Sequence, residues 1–185
     1  MLEQGVGVGV GAEAQLAAAG GVAAGIKLKS TYRFECFGAD GALKWVEEVD
    51  NLVVDAGLND VLDKYFKGSA YTAAWYVGLK GTGSVAAADT MASHAGWSEV
   101  TAYSESVRQT LTLGSVASKS VSNSASKAVF SINGTATVAG AFLSTDDTKG
   151  GTTGTLYGAV DFSASRSVIN GDTLNVTVTL TAASA

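Results

Sequence analysis

From Thr173 to Thr181 the chain reads TLNVTVTLT, with Leu174, Val176, Val178 and Leu180 at every second position and Asn or Thr between them. Successive side chains of a strand point to opposite faces, so a period of two describes an extended segment with one aliphatic and one hydroxylated face. The aliphatic face must be covered, which requires partner strands and a second layer. The same alternation recurs upstream. Leu28, Tyr32, Phe34 and Cys36 share one side of a first strand, and Leu43, Trp45, Glu47 and Val49 share one face of a second, with a turn at residues 38–41 between them. Further strands are expected over residues 72–79, 107–113, 127–132, 135–143 and 156–162. Asn133-Gly134 carries a hairpin-turn signal between the strands that flank it, and Asn170-Gly171 turns the chain into its last strand. Short strands at this spacing predict a mainly β chain: an antiparallel β-sandwich or jelly-roll.

One segment departs from this period. In residues 51–79, Leu58, Val61, Leu62, Tyr65 and Phe66 fall on one stripe of a 3.6-residue helix, with Asn59, Asp60, Asp63 and Lys64 on the wet face. Asp55 is placed to cap the first turn and Gly68 to stop the helix. One short α-helix is therefore predicted over residues 56–67, its apolar stripe against the sheets and its body closing one end of the sandwich.

Composition narrows the range of functions. The chain has 185 residues, a hydrophobic fraction of 46%, and only 16% charged residues, a balance that suits a surface partly buried against neighbours. A net charge of -5 without a basic run opposes nucleic-acid binding, which needs cations to displace phosphate counterions. Cys36 and His94 are each the only residue of their kind, which leaves no disulfide framework and no Cys- or His-rich metal site. Cys36 reads as a buried, inert thiol. There is no proline, so Gly, Asn, Asp and Ser must make every turn.

Residues 1–26 form an N-terminal arm of Gly, Ala and Val without a Lys or Arg. Glu3 and the repeated glycines oppose a secretory signal or a membrane span. The Gly-Val alternation is a weak match to a dinucleotide-binding fingerprint, since no strand precedes it. The arm, with Val6, Val8 and Val10 on one side, is expected to add as a strand to a neighbouring subunit. Residues 27–185 make the single β domain.

No catalytic constellation is legible. Glu47 and Glu48 are adjacent on a strand and point apart, so they cannot converge on one substrate. Asp146 and Asp147 sit in a Gly/Thr loop without the oxygen-ligand spacing of a calcium loop. Lys149-Gly150-Gly151-Thr152 lacks the upstream glycine of a phosphate-binding loop, and the sequons at Asn133 and Asn175 lack a secretory context. The connection over residues 81–96 is long and polar, with His94, Trp97 and Tyr103 in or near it. Trp97 and Tyr103 either cap the core or form a contact for another subunit or a stacked sugar.

WVEEVDNLVVDAGLNDVLD over residues 45–63, Trp75-Tyr76-Val77-Gly78-Leu79, Ala139-Gly140-Ala141-Phe142-Leu143 and the closing Gly171-Asp172-Thr173-Leu174-Asn175-Val176-Thr177 together resemble a family of tailed-bacteriophage virion proteins. The resemblance covers about Tyr32 to Ala185. It implies a structural role in the assembly of a particle; with the composition and the missing catalytic set, no enzyme activity, cofactor, metal, nucleic-acid or membrane partner is expected. The expectation is a capsid decoration or cement protein that binds the major capsid protein, or other virion proteins and copies of itself, through its sheet face and arm. A neck or tail component, fibre or adaptor, with host-glycan binding through Trp75, Trp97 and Tyr103, is the alternative.

Overall fold

The closing alternation becomes the middle of a sheet. In the computed structural model, which describes residues 25–71 and 74–184, the elements run β1 (Ile26–Phe37), β2 (Leu43–Asp50), β3 (Leu52–Val53), α1 (Asp55–Val61), a π-helical turn (Leu62–Phe66), β4 (Tyr76–Lys80), β5 (Glu99–Val100), β6 (Gln109–Thr110), β7 (Ser120–Ser122), β8 (Ala128–Ser131), β9 (Ala136–Ser144), β10 (Leu156–Val168) and β11 (Thr173–Ser184). The chain is mainly β, in two antiparallel sheets with one short helix.

The first sheet has the order β2-β1-β11, with β7 and β8 taking successive stretches of the outer edge of β11. β1 and β11 pair along their whole length, from Ile26 opposite Ser184 to Phe37 opposite Thr173. The second sheet has the order β3-β10-β9-β4, with β5 and β6 sharing the far edge of β4. The inner faces meet in one core: Tyr32, Phe34, Leu174, Val176 and Val178 from the first sheet against Val77, Leu79, Val138, Leu143 and Val160 from the second. Phe34 and Phe162 join the two layers edge to face, with ring centroids 4.5 Å apart. Each such side chain contributes roughly 1.5–3 kcal/mol through burial.

The second sheet is covered on its outer face as well. Val54, Met91, Trp97, Phe142, Leu156 and Ala159 form a separate buried cluster there. The cover is the connection between β4 and β5, which lies over the sheet as a second layer of core. Gly78 is needed beneath it, because a Cβ there would come within 2.2 Å of the Phe142 ring. Its neighbour Lys80 is fully buried under the cover, pairs with Asp161 at 2.5 Å and donates to the carbonyls of Gly81 and Gly83. Arg108, also fully buried, holds Glu99 through two nitrogens at 3.1 and 2.8 Å and donates to the carbonyls of Asp146 and Gly151. A buried cation needs this many oxygen partners to offset its lost hydration.

Several expectations are corrected. Asn133-Gly134 makes no hairpin, because β8 pairs with β11 in the first sheet and β9 pairs with β10 and β4 in the second. The dipeptide lies where the chain crosses between layers, with the Asn133 amide bonded to the Ala102 carbonyl. Residues 107–113 form only the two-residue β6, and Arg108 turns inward while Val107 is exposed, because Arg108 is drawn to Glu99. The helix divides into α1 and the π turn, ending before Gly68, whose φ is +75°. Asp55 is its first residue, and Val54 stands at the cap without a side-chain hydrogen bond. Cys36 is buried, as its pattern predicts, and burial pushes its thiol up to about 11.

Between β7 and β8 the edge of β11 would be unpaired, and the buried side chain of Asn123 fills the gap. Its Oδ1 accepts from the Val178 amide at 2.7 Å and its Nδ2 donates to the Val176 carbonyl at 3.2 Å. Asn123→Ala leaves both groups buried and unpaired, so urea unfolding should show a loss of roughly 2–4 kcal/mol. Where the sheets meet at β2 and β10, the Arg166 guanidinium bonds Glu47 at 2.6 Å and holds its carboxyl below the ordinary value, with Ser163 also donating. A carboxyl lowered on folding adds stability above its unfolded pKa of about 4.3, lost as pH falls through the folded value. Glu47→Gln should therefore unfold at lower urea than the parent at pH 7, and the difference should shrink below about pH 4.

Candidate functional site

The helical segment presents its bulk to solvent. Gly57 is its buried residue, seated on the Tyr157 carbonyl of β10, where a Cβ would come within 2.1 Å of that oxygen. The Val54 amide bonds the same carbonyl and the Asp55 amide bonds the Ala87 carbonyl, so the start of α1 is pinned at both ends of this contact. The face turned to the sheet is thus the small one; of the expected buried stripe Val61 stays half-buried, while its other members are rotated outward. Leu58, Leu62, Tyr65 and Phe66 are 43, 56, 80 and 65% exposed.

The π turn sharpens this ridge. The Lys67 amide bonds the Leu62 carbonyl five residues back, and the widened turn carries Tyr65 and Phe66 out together. Their rings meet edge to face with centroids 4.9 Å apart. Exposed Tyr71 continues the apolar surface.

Behind the ridge the open end of the sandwich forms a groove of about 440 Å³. Trp75, Leu111, Leu143, Tyr157 and Leu180 line its floor, and Tyr65 and Tyr71 its outer wall. Trp75 and Tyr157 pack edge to face at 5.7 Å. Burial raises the Tyr157 hydroxyl pKa, which keeps it neutral. Asp60 and Lys64 are the charged residues of the lining. This surface offers apolar area and a few rim charges, which suits docking of another molecule better than proton transfer or nucleophilic attack.

The other polar clusters serve the fold. A pocket beside His94 and Trp97 is bounded by Glu99, whose carboxylate is taken up by Arg108 and the Gly150 amide. Asp146 organises its own loop by accepting from the Thr148 amide and the Thr153 hydroxyl, and those bonds lower its pKa. Among the described residues no group of three or more His, Cys, Asp or Glu is placed to hold a metal ion, and no helix is long and apolar enough to cross a membrane.

The structure places the expected contact residues elsewhere. Trp97 is buried in the outer cluster, donating from its indole to Asp89 at 2.9 Å with His94 stacked on its ring. Tyr103 is fully buried between the sheets, edge to face with Phe130 and under the Lys149 ammonium. Neither ring faces outward: the long connection folds Trp97 down into the outer cluster, while Tyr103 lies in the main core against which Trp75 also packs, so the three form no exposed platform. Val6, Val8 and Val10 lie outside the described residues. Tyr71, Leu111 and Leu180 come together only through the fold; Gly57, small amid bulky neighbours, is the sequence signal for which side of the helix faces inward.

The chain matches no protein-family model and is similar to no curated protein.

A surface ring and a core ring differ in what their removal costs. Phe66→Ser should change unfolding free energy by no more than about 0.5 kcal/mol, against the 3–5 kcal/mol typical of a buried Phe, while reducing binding of an apolar dye to the native chain. Denaturant titration with dye fluorescence measures both.

Proposed function

We propose that the protein is a non-enzymatic building block of a tailed-bacteriophage particle, acting as a decoration or cement subunit on the capsid shell. The observation that carries this reading is the exposed ridge of Leu58, Leu62, Tyr65 and Phe66 beside an apolar groove. A contiguous apolar surface of this kind on a folded domain favours a binding partner. Charge pairs with a buried member, among them Lys80 with Asp161, Arg108 with Glu99 and Arg166 with Glu47, hold the layers and loops together.

The segment that carries the ridge, residues 51–79, also holds two of the motifs that resemble phage virion proteins. Low charge density fits a surface meant to be partly covered by neighbours. The partners under this reading are the major capsid protein or other virion proteins, and copies of the subunit itself, and the location is the virion assembled in a bacterial cytoplasm.

Copy number separates a shell subunit from a ring or fibre. A cement protein repeats with the symmetry of the shell, on the order of hundreds of copies per particle, whereas a neck or tail component closes into small rings or trimers. Quantitative peptide counting on purified particles should return the larger number. A count of about a dozen or fewer would move the protein to the neck or tail, and absence from particles would end the reading.

A further inference from the structure

We propose that the ridge is a homotypic contact, in which the helical segment of one copy packs antiparallel on that of a second copy across a two-fold axis at Leu62. The spacing of the exposed side chains supports this. Leu58, Leu62 and Phe66 are four residues apart and all open to solvent, so a two-fold rotation about Leu62 sets each Leu58 against Phe66 of the other copy and Leu62 against itself. An isologous contact requires this self-complementarity, residue i meeting j while j meets i.

Charge selects the antiparallel direction. The segment begins at exposed Asp55 and ends beside exposed Lys67. Antiparallel pairing brings each acidic start near the basic end of the other copy and opposes the two helix dipoles; parallel pairing would set like on like. Among the described residues Asp55 makes no ion pair, while Lys67 lies 3.1 Å from Asp63, an exposed pair that can be re-formed at little cost.

The area sets the strength. Tyr65 and Phe66 at 80 and 65% exposure present together roughly 200–350 Å² for rings of this size. With the leucines the ridge reaches the scale of the largest apolar patch on a typical monomer and stays below the roughly 800 Å² per partner of a standard stable interface. The contact is therefore weak and reversible in dilute solution, and becomes persistent where an assembly holds copies close together. It does not depend on where in a particle the subunit sits.

Sedimentation equilibrium of the full-length chain across a wide concentration range tests the proposal. Concentration-dependent dimerisation is expected, abolished by Leu62→Asp and weakened by Asp55→Lys or Lys67→Asp alone, with the double reversal restoring most of it. Leu62→Cys should cross-link to a covalent dimer under mild oxidation, since a residue on the axis faces its own copy within disulfide reach. Val116→Cys, at a comparably exposed site, should not, and native Cys36 is buried away from the reaction. Far-ultraviolet circular dichroism of each variant confirms folding, which solvent-exposed positions tolerate. A chain that stays monomeric throughout overturns the inference, as does a dimer indifferent to Leu62→Asp or a double reversal no better than the singles. Binding of the monomer to purified particles that Leu62→Asp abolishes would assign the ridge to a different partner and overturn the homotypic contact, while leaving the particle role intact.

Discussion

The middle of the second sheet, β4 and β9, is buried on both faces, and most of the unusual chemistry of the chain follows from that. A two-layer sandwich needs one apolar face per sheet; here the connection from β4 to β5 adds a third layer with its own cluster around Phe142 and Trp97. Strands beneath it can neither alternate with polar residues nor carry bulk everywhere. β9 is consequently buried from Val138 to Ser144, and small residues appear where backbone and ring come close. A Cβ on Gly140 would come within 1.8 Å of the Val160 carbonyl, as one on Gly78 would meet Phe142. The close approach of layers is thus written in glycine as much as in large apolar side chains.

Burying both faces also traps polar groups. Lys80 reaches Asp161 and two carbonyls, and Arg108 joins the β5 edge to the loop after β9 through Glu99, Asp146 and Gly151. Removing one member of such a pair strands a charge in a low-dielectric interior, so these residues stabilise the cover by making its loss costly. The surface is left with an uneven distribution, in which charge is drawn inward to fasten loops and apolar bulk is turned outward on the helical segment.

How much of this was legible depends on whether a local pattern decides the outcome. The period of two in residues 173–181 decides a strand and its inner face, since the burial of Leu174, Val176 and Val178 follows from alternation, whereas the choice of β1 as its partner is written in no local pattern. The turn over residues 38–41 between β1 and β2 was readable for the same reason, and Gly41 adopts φ +77° there. The helix period is legible but the helix is rotated from the expected orientation, because the pattern gives a stripe and only packing says which side turns inward; Gly57 is seated inward through contact with a backbone carbonyl rather than through hydrophobicity. Asn133-Gly134 was misread because a turn signal is local while the choice of sheet is global. For Trp97 and Tyr103 the sequence leaves core cap and outer contact both open, because nothing local shows that the loop folds down over a sheet; both rings are buried. The groove was invisible in sequence, as Trp75, Leu111 and Leu180 meet only when both layers are in place.

The ladder between β1 and β11 carries a consequence for how the protein reaches its fold. Phe37 and Thr173 are neighbours in the sheet and far apart along the chain, so the central pair of the first sheet closes only after the last strand has been synthesised. Until then the inner edge of β1 and the apolar face bearing Tyr32 and Phe34 lack their cover. Long-range closure of this kind is slow and leaves a hydrophobic strand available to other nascent chains. With no proline in the sequence, isomerisation adds no delay of its own. The rate of productive folding is then set by the topological search for β11, and a lower temperature during expression, which weakens hydrophobic association between unfinished chains, favours soluble protein over aggregate.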